Sequence, residues 1–305
     1  IRDRITLSQV SLRRGTKELF SNATCQLPAG SKVGLVGRNG SGKSSLLDAL
    51  LGRLTVDAGD IQVPRGARTA VLRQEIPATD RSALEFVKDG DEDLRELEAA
   101  IAACEDGHRL ADLHDRLASI DGYTADARAA KLIVGLGFDA NDVDRPVNEF
   151  SGGWRMRLNL AQALMCRSDL LYLDEPTNHL DFEAVVWLEQ WLRQYPGTLV
   201  VISHDRDFLD NVVDRVLHLE ARTLTAYTGN YTDFERMRAE RMAFQLAQRA
   251  RQDREIQRIS RFVERFRAKA TKARQAQSRL KALERIEQVS IVHVDSPINF
   301  EFPRH

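Results

Sequence analysis

The sequence predicts an α/β fold: a phosphate-binding core with an antiparallel β-flank, followed by long helices. The first observation is the segment 37–44 (GRNGSGKS), which fits the phosphate-loop pattern G-x-x-x-x-G-K-S/T. The second is its setting, since an apolar run at 32–36 predicts a buried strand before the loop and an amphipathic run at 44–51 predicts a helix after it. The third is the absence of Gly and Pro between Asn230 and Ser296, where nothing interrupts a helical pattern.

The phosphate loop predicts nucleotide binding. Its glycines allow successive backbone N–H groups to face phosphate oxygens, and the helix N-terminus adds a partial positive charge. Lys43 is expected to reach the β- and γ-phosphates, and the Ser44 hydroxyl to bind Mg²⁺. An ordinary glycine-rich turn between a strand and a helix is the alternative. The predicted nucleotide-binding residues of this region are Gly37, Arg38, Asn39, Gly40, Ser41, Gly42, Lys43, Ser44 and Ser45.

Further strands and helices are predicted on both sides of the loop. Strands are expected at 5–12, 23–27, 59–63 and 68–72, and helices at 154–165 and 182–192. An apolar run at 169–173 ends on the adjacent acids Asp174 and Glu175, and a second run at 199–202 ends just before His204. Because parallel strands end at one edge of a sheet, these polar residues are expected to lie in the ligand crevice.

Composition is that of a soluble globular protein, with 43% hydrophobic and 29% charged residues in a chain of 305. Every apolar run is far too short to cross a bilayer, and no secretory signal pattern opens the chain. Cys25, Cys104 and Cys166 are odd in number and widely spaced, which favours reduced cysteines in the cytoplasm and no metal or redox site. The chain begins at Ile1 without Met, so we expect a piece of a longer protein.

Charge is segregated along the chain. The net charge is −1, but residues 249–285 hold 13 Lys/Arg against 4 Asp/Glu, a net of +9 that leaves −10 for the remainder. Residues 75–126 hold 15 acidic and 5 basic residues. There, apolar positions at helical spacing predict two amphipathic helices, 84–104 and 110–120, joined at Asp106-Gly107. A lid on the core and a protruding arm that contacts a partner are equally compatible with this pattern.

The basic segment predicts a long antiparallel pair of helices that turns around residues 265–272. A run of cations at such a tip, with no acid among them, is expected to bind the phosphate backbone of a nucleic acid, although a solvated coiled coil is the alternative. Beyond it, residues 298–302 (INFEF) are similar to the opening of the chain and predict the first strand of a second copy of the domain. The seven cations of this tip are Arg265, Arg267, Lys269, Lys272, Arg274, Arg279 and Lys281.

Five pieces of sequence, in order and at the right spacing over residues 1–230, together resemble the ATP-binding cassette ATPases. That resemblance implies the cassette fold, with a P-loop core, an antiparallel β subdomain and a helical subdomain. The four pieces beyond the phosphate loop are the glutamine loop at Gln74, the signature at Ser151, Gly152 and Gly153 (after Phe150, where Leu is common), the Walker B strand at 170–175 and the switch histidine His204, with Asp181 at the aspartate loop.

The resemblance assigns roles to these residues, with ATP and Mg²⁺ as cofactors. Asp174 is expected to hold Mg²⁺ with Ser44, and Gln74 to contact the metal or the attacking water. Glu175 is expected to orient or deprotonate that water, and His204 to contact the γ-phosphate. The resemblance also counts Asp181 and the signature residues 151–153 among the nucleotide-binding residues. The signature acts in trans: it contacts the γ-phosphate held by a partner cassette, which is a second cassette of the same polypeptide or a homodimer partner.

One position departs from the family pattern. Arg14 stands where the family often has an aromatic residue that stacks on adenine. A guanidinium plane can also stack on a base, so adenine binding is still expected, with an edge-on contact from Phe20 as an alternative.

The segment 175–181 (EPTNHLD) resembles the ABC-F branch, which has twin cassettes and no membrane domain, and 266–279 resembles its YheS-like group. The expected domains are a cassette at 1–230 with an arm at about 82–128, a basic linker at 231–292, and the first strand of a second cassette at 293–305. The branch implies a cytoplasmic, ATP-driven translation factor whose linker meets tRNA and rRNA on the ribosome, so the seven cations at its tip are the predicted RNA-binding residues. The alternatives are the ATPase subunit of a membrane transporter and a DNA-associated cassette ATPase.

Overall fold

The computed structural model describes residues 4–72 and 79–266, except for the side chains of residues 259 and 262–266. The chain divides into two compact units between Thr232 and Asp233. The described strands are β1 (Ile5–Arg14), β2 (Lys17–Leu27), β3 (Lys32–Gly37), β4 (Ala58–Gln62), β5 (Thr69–Val71), β6 (Leu170–Asp174), β7 (Thr198–Ile202), β8 (Arg215–Glu220) and β9 (Thr223–Thr228).

Helices fill the intervals between the strands. The described α-helices are α1 (Lys43–Leu50), α2 (Ala83–Lys88), α3 (Glu92–Ala102), α4 (Gly107–Ser119), α5 (Ala125–Gly135), α6 (Gly152–Met165), α7 (Phe182–Gln194), α8 (Arg206–Val212) and α9 (Tyr231–Phe266). None of the helices in the described part of the chain is both long enough and apolar enough to span a bilayer.

The strands form two sheets. The larger sheet has the order β5-β6-β7-β3-β8-β9 and is parallel except for the antiparallel pair β8–β9. Its central strand β7 is buried at every position, as the apolar sequence TLVVI predicts for a strand covered on both faces. The smaller sheet, β2-β1-β4, is antiparallel. This arrangement confirms the predicted α/β core with an antiparallel β-flank.

One core joins the two sheets through α1. Leu46 and Leu50 of α1 pack in the same buried cluster as Leu7 and Phe20 of the small sheet and Leu35 of the large one. Each of these side chains contributes on the order of 2 kcal/mol by leaving water. The packing fixes the N-terminus of α1, and therefore the phosphate loop, against the end of β3.

The acidic insertion after β5 differs from the prediction at one point. Residues 84–104 were predicted as one helix, but the chain breaks at Asp89-Gly90-Asp91 into α2 and α3. Gly90 passes so close to α6 that a Cβ there would lie 2.0 Å from the Gln162 carbonyl oxygen. Asp91 then begins α3 by accepting a hydrogen bond from the Leu94 N–H at 3.3 Å. The apolar spacing in the sequence continues through this point. The helix nevertheless ends here, because the backbone packs closely against α6 and Asp91 caps a new helix.

The second unit is described through α9, which runs unbroken to Phe266. It carries local ion pairs such as Arg249–Asp253 at 3.6 Å and Arg258–Glu255 at 3.3 Å. Phe244 of α9 is 63% exposed. The predicted turn, the second helix and the strand at 298–302 lie outside the described residues.

Candidate nucleotide-binding site

The phosphate loop connects β3 to α1 through a backbone that only glycine tolerates at two places. A Cβ on Gly37 would lie 2.5 Å from the Leu219 carbonyl oxygen. Gly42, the N-cap of α1, has φ +109°, a region that side chains disfavour, and a Cβ there would lie 3.0 Å from Leu19. No side chain caps α1. The first turn of the helix therefore presents its N–H groups to an external acceptor, which fits a phosphate.

Lys43 lies inside this loop. Its Nζ donates hydrogen bonds to the carbonyl oxygens of Gly37 at 2.7 Å and Arg38 at 3.1 Å. Burial lowers the pKa of Lys43, while the nearby carboxylates of Glu175 and Asp174 act in the opposite direction. The ammonium group is thus held where phosphate oxygens would replace two neutral carbonyls with a stronger, charge-assisted contact.

Ser44 and Asp174 bring two hard oxygen donors together. Ser44 is in the first turn of α1, Asp174 is the last residue of β6, and the Ser44 Oγ is 3.5 Å from Asp174 Oδ2. Burial raises the pKa of Asp174, and the Ser44 hydroxyl and the Lys43 charge partly offset that rise. A hydroxyl and a carboxylate at this separation, beside a phosphate site, are the donor types that Mg²⁺ takes. The residues fit the ion.

Glu175 and His204 connect the ends of β6 and β7. Glu175 has φ +50°, and its backbone N–H donates to the Ile202 carbonyl at 2.8 Å. The His204 backbone N–H donates to Glu175 Oε2 at 3.3 Å, and His204 Nε2 lies 3.6 Å from Glu175 Oε1. Glu175 Oε1 is buried and has no hydrogen-bond partner among the described residues. Such an unsatisfied carboxylate oxygen is suited to accept a proton or a hydrogen bond from water.

These side chains face one cavity of about 500 Å³. Its volume lies in the range of cavities that hold small-molecule ligands. Of the residues predicted from sequence it brings together Arg14, Asn39, Gly40, Gly42, Lys43, Ser44, Ser45, Asp174, Glu175 and His204.

Three lining residues were not predicted: Lys17, Leu19 and Ile202. Lys17 follows Arg14 across the β1–β2 turn, and its Nζ donates to the Gly40 carbonyl at 3.2 Å. Lys17 could have been predicted from its position in the hairpin next to Arg14, which was already expected at the nucleotide. The expected alternative contact from Phe20 is wrong, because Phe20 is fully buried in the core shared by the two sheets.

The signature residues lie away from this cavity. Ser151 is the exposed N-cap of α6 and makes no side-chain capping bond, and a Cβ on Gly152 would meet nothing within 4 Å. A Cβ on Gly153 would be 3.7 Å from His179. An uncapped, open helix N-terminus is available to bind an anion from outside the cassette.

Asp181 is also outside the cavity and has a structural partner that the sequence did not indicate. It caps α7 by accepting from the Ala184 N–H at 3.0 Å, and it binds Arg157 Nη1 at 2.7 Å. These hydrogen bonds, led by that from Ala184, lower the pKa of Asp181. The structure does not describe Gln74 or the side chains of the seven predicted RNA-binding cations, Arg265 to Lys281.

Comparison with known proteins agrees with this geometry. Two family models described as ABC transporter match the chain, one over residues 20–178 and the other over residues 217–301. The Escherichia coli (strain K12) protein named "Probable ATP-binding protein YheS" is 52% identical over 301 residues, which cover 98% of this chain and 47% of that protein. Human ATP-binding cassette sub-family F member 3 is 40% identical over 300 residues, which cover 95% of this chain and 42% of that protein. The chain thus spans about half the length of the curated relatives it matches.

Solved structures share the fold. The ATP-binding subunit of an ABC transporter superposes with a TM-score of 0.56 at 15% identity, covering 73% of this chain and 89% of that one. A dimeric ATP-binding cassette in a post-hydrolysis state with ADP and Pi gives a TM-score of 0.54 at 18% identity, covering 73% of this chain and 98% of that one. With the matching family models and the sub-family F relatives, these findings show that the chain belongs to the ATP-binding cassette ATPases, in their ABC-F branch.

Proposed function

We propose that this chain is the ATP-hydrolysing cassette and linker of a cytoplasmic translation factor that acts on the ribosome. The observation that carries the ATPase part is the convergence of Lys43, Ser44, Asp174, Glu175 and His204 on one cavity. The ribosomal part is supported by membership of the ABC-F branch and by the net charge of +9 on residues 249–285.

ATP binding follows from the loop. The uncapped N-terminus of α1 and the ammonium of Lys43 would hold the phosphates, with Ser44 and Asp174 holding Mg²⁺. The ion, when bound, neutralises charge on the β- and γ-phosphate oxygens. Arg14 and Lys17, on either side of the β1–β2 turn, also line the cavity. They would contact the ribose or the base of the nucleotide.

Hydrolysis would depend on Glu175. Its Oε1 lacks a hydrogen-bond partner among the described residues, so it is the acceptor that an attacking water would find. His204 lies beside it and would contact the γ-phosphate, and its backbone bond to Glu175 Oε2 holds the carboxylate in place. Gln74 is proposed as a further contact to the metal or the water.

A second cassette would complete the site. Ser151 and Gly152 are exposed and Gly153 is partly exposed, and none of the three lines the cavity of their own cassette. We propose that Ser151, Gly152 and Gly153 bind the γ-phosphate held by a partner cassette, supplied by a longer polypeptide or by a second copy. ATP then acts as the bridge that closes the pair, and closure positions the basic linker against tRNA and rRNA.

Ribosome co-sedimentation tests the proposal. Glu175→Gln protein would be mixed with ribosomes at about 0.15 M ionic strength, near the physiological screening condition. It should pellet with ribosomes in ATP and not in ADP, whereas the matched double variant carrying Lys43→Ala should not respond to ATP. Association with membranes, or DNA binding that survives RNase, in place of ATP-dependent ribosome binding would contradict the proposal.

A further inference from the structure

A second cavity, of about 530 Å³, lies in the first unit on the opposite edge of the large sheet. It is formed around Arg68, Asp169 and Pro196, which stand just before β5, β6 and β7 respectively, whereas the ATP cavity lies where β3, β6 and β7 end. The two cavities share no lining residue. We call it the amino-edge cleft. It is as large as the cavity that accommodates the nucleotide.

One wall of the amino-edge cleft is cationic and incompletely satisfied. Arg128 of α5 and Arg167 share a single carboxylate, that of Asp91, at 3.0 Å each. The Asp91 side chain is only 2% exposed, so it lies behind the two arginines. Arg128 Nε and Arg167 Nη2 are buried and have no acceptor among the described residues. One carboxylate neutralises only one of the two guanidinium groups, so a net positive charge remains and some of their N–H donors have no acceptor.

The rim adds further positive charge. Lys131 lies one helical turn after Arg128, is exposed, and makes no ion pair within the part of the chain that the structure describes. Arg68 is about half exposed and pairs with Asp93 at 3.0 Å, with Asp169 3.8 Å away. The four cations of the cleft outnumber the three acids that pair with them, Asp91, Asp93 and Asp169, by one positive charge. The exposed Lys131 is the cation best placed to contact a ligand.

The α7 side of the cleft is aromatic. Trp187, Trp191 and Tyr195 recur every four residues, so they lie on one face of α7 and its end. The Trp191 and Tyr195 rings stack, with centroids 5.6 Å apart and planes 15° apart. Tyr195 is fixed by a hydrogen bond from its hydroxyl to the Ser168 carbonyl at 2.8 Å and by Lys32 Nζ, 5.3 Å from its ring centroid. Trp191 therefore rests on a rigid support while lining the cleft.

We propose that the amino-edge cleft binds a nucleotide unit, with its base stacked against Trp191 and its phosphate at Lys131 and Arg68. A base has a π-face for the tryptophan whatever its identity. The positive charge of Arg128 and Arg167, which also line the cleft, favours the anionic phosphate of the same ligand. The same chemistry is offered by a free mononucleotide and by one nucleotide of a single-stranded RNA. The cleft would thus be an additional ligand site, independent of the ATP cavity.

Titration calorimetry and tryptophan fluorescence test this on a Lys43→Ala background, which removes binding at the phosphate loop. The chain has three tryptophans, so adding Trp154→Phe restricts the fluorescence signal to the two in the cleft. The probes are AMP and an eight-nucleotide oligouridylate. Quenching by AMP alone identifies a free-nucleotide site, and quenching by the oligonucleotide, alone or with AMP, identifies an RNA site.

Variants assign the binding to the cleft. Trp191→Leu should weaken it by at least about fivefold, the lower end expected for losing a stacked base. Lys131→Glu should weaken it by a similar factor and reduce its dependence on salt, while leaving the ATPase rate of the otherwise native chain unchanged. Arg193→Glu, an exposed charge reversal on α7 that does not line the cleft, is the matched control. If Trp191→Leu does not fold, the change in affinity caused by Lys131→Glu alone tests whether binding occurs in the cleft. Absence of binding by both probes, or binding that both variants leave intact, overturns the proposal.

Discussion

Arg157 and Asp181 connect the signature helix to the start of α7: Arg157 Nη1 lies 2.7 Å from Asp181 Oδ2. The same guanidinium donates to the carbonyl oxygens of His179 at 2.8 Å and Leu136 at 3.0 Å, and it lies over the Trp154 ring. One side chain thus holds the segment between Glu175 and α7 against α6. That segment begins at the proposed catalytic carboxylate and α6 begins at the predicted signature, so Arg157 connects the two regions directly.

Replacing Arg157 should destabilise the fold. Arg157→Ala leaves two carbonyls and a carboxylate without their donor, which should cost about 1–3 kcal/mol in the free energy of unfolding. Arg157→Lys should recover only part of the loss, because one ammonium cannot reproduce a planar fork that serves three acceptors. Urea unfolding followed by circular dichroism measures both values. Full recovery by lysine would show that charge alone matters here.

Asp181 should make stability depend on acid. Its pKa in the folded chain is lowered by the Ala184 N–H and Arg157, so the ionised form stabilises the fold above the ordinary carboxyl pKa of about 3.9. That contribution is lost as the pH falls through the lowered folded value. Asp181→Asn, which can still cap α7, should therefore be less stable than the native chain at neutral pH and equally stable in strong acid. Thermal denaturation across pH 2–7 tests this, and a difference that persists or grows at low pH would contradict it.

Gly90 should be required for the break between α2 and α3. A Cβ there would lie 2.0 Å from the backbone oxygen of Gln162, so Gly90→Ala should destabilise the chain by about 1–3 kcal/mol. Gly107→Ala is the matched control, because nothing lies within 4 Å of a Cβ at Gly107, and its effect should stay within about 0.5 kcal/mol. Chemical denaturation compares the two, and equal losses would count against this account of the break.

Most of the site could be predicted from sequence because its residues occupy fixed points of the strand-and-loop pattern. Asp174, Glu175 and His204 directly follow apolar runs, and parallel strands bring such ends together. The structure places them around one cavity with the phosphate loop, and the predicted α/β core with its flanking sheet is confirmed.

The remaining features depend on tertiary contacts that local patterns do not contain. The break at Gly90 arises from an α6 carbonyl 72 residues away, and the Arg157–Asp181 pair spans 24 residues. The first half of β2, around Leu19 and Phe20, and the pair β8–β9 were not predicted either. Partner strands stabilise them, and the alternation of polar and apolar side chains there is weak.

The proposed RNA contacts are separable from the ATP site. Reversing Lys269 and Lys272 to Glu should weaken ribosome binding by at least about tenfold and make it less sensitive to salt, since fewer phosphates are neutralised. ATP affinity, measured by fluorescence titration, should not change. An equal fall in ATP affinity would show that the linker and the cassette do not act as separate sites.

The rate of ATP hydrolysis by the Glu175→Gln variant at saturating ATP is the measurement that tests the proposed mechanism most directly. The substitution preserves the shape of the side chain and removes the carboxylate that faces the cavity. Binding of ATP should match that of the native chain, while turnover should fall by a factor of about 10²–10⁴. An unchanged turnover number would mean that another group activates the water and that the arrangement of Glu175 beside His204 is not the catalytic one.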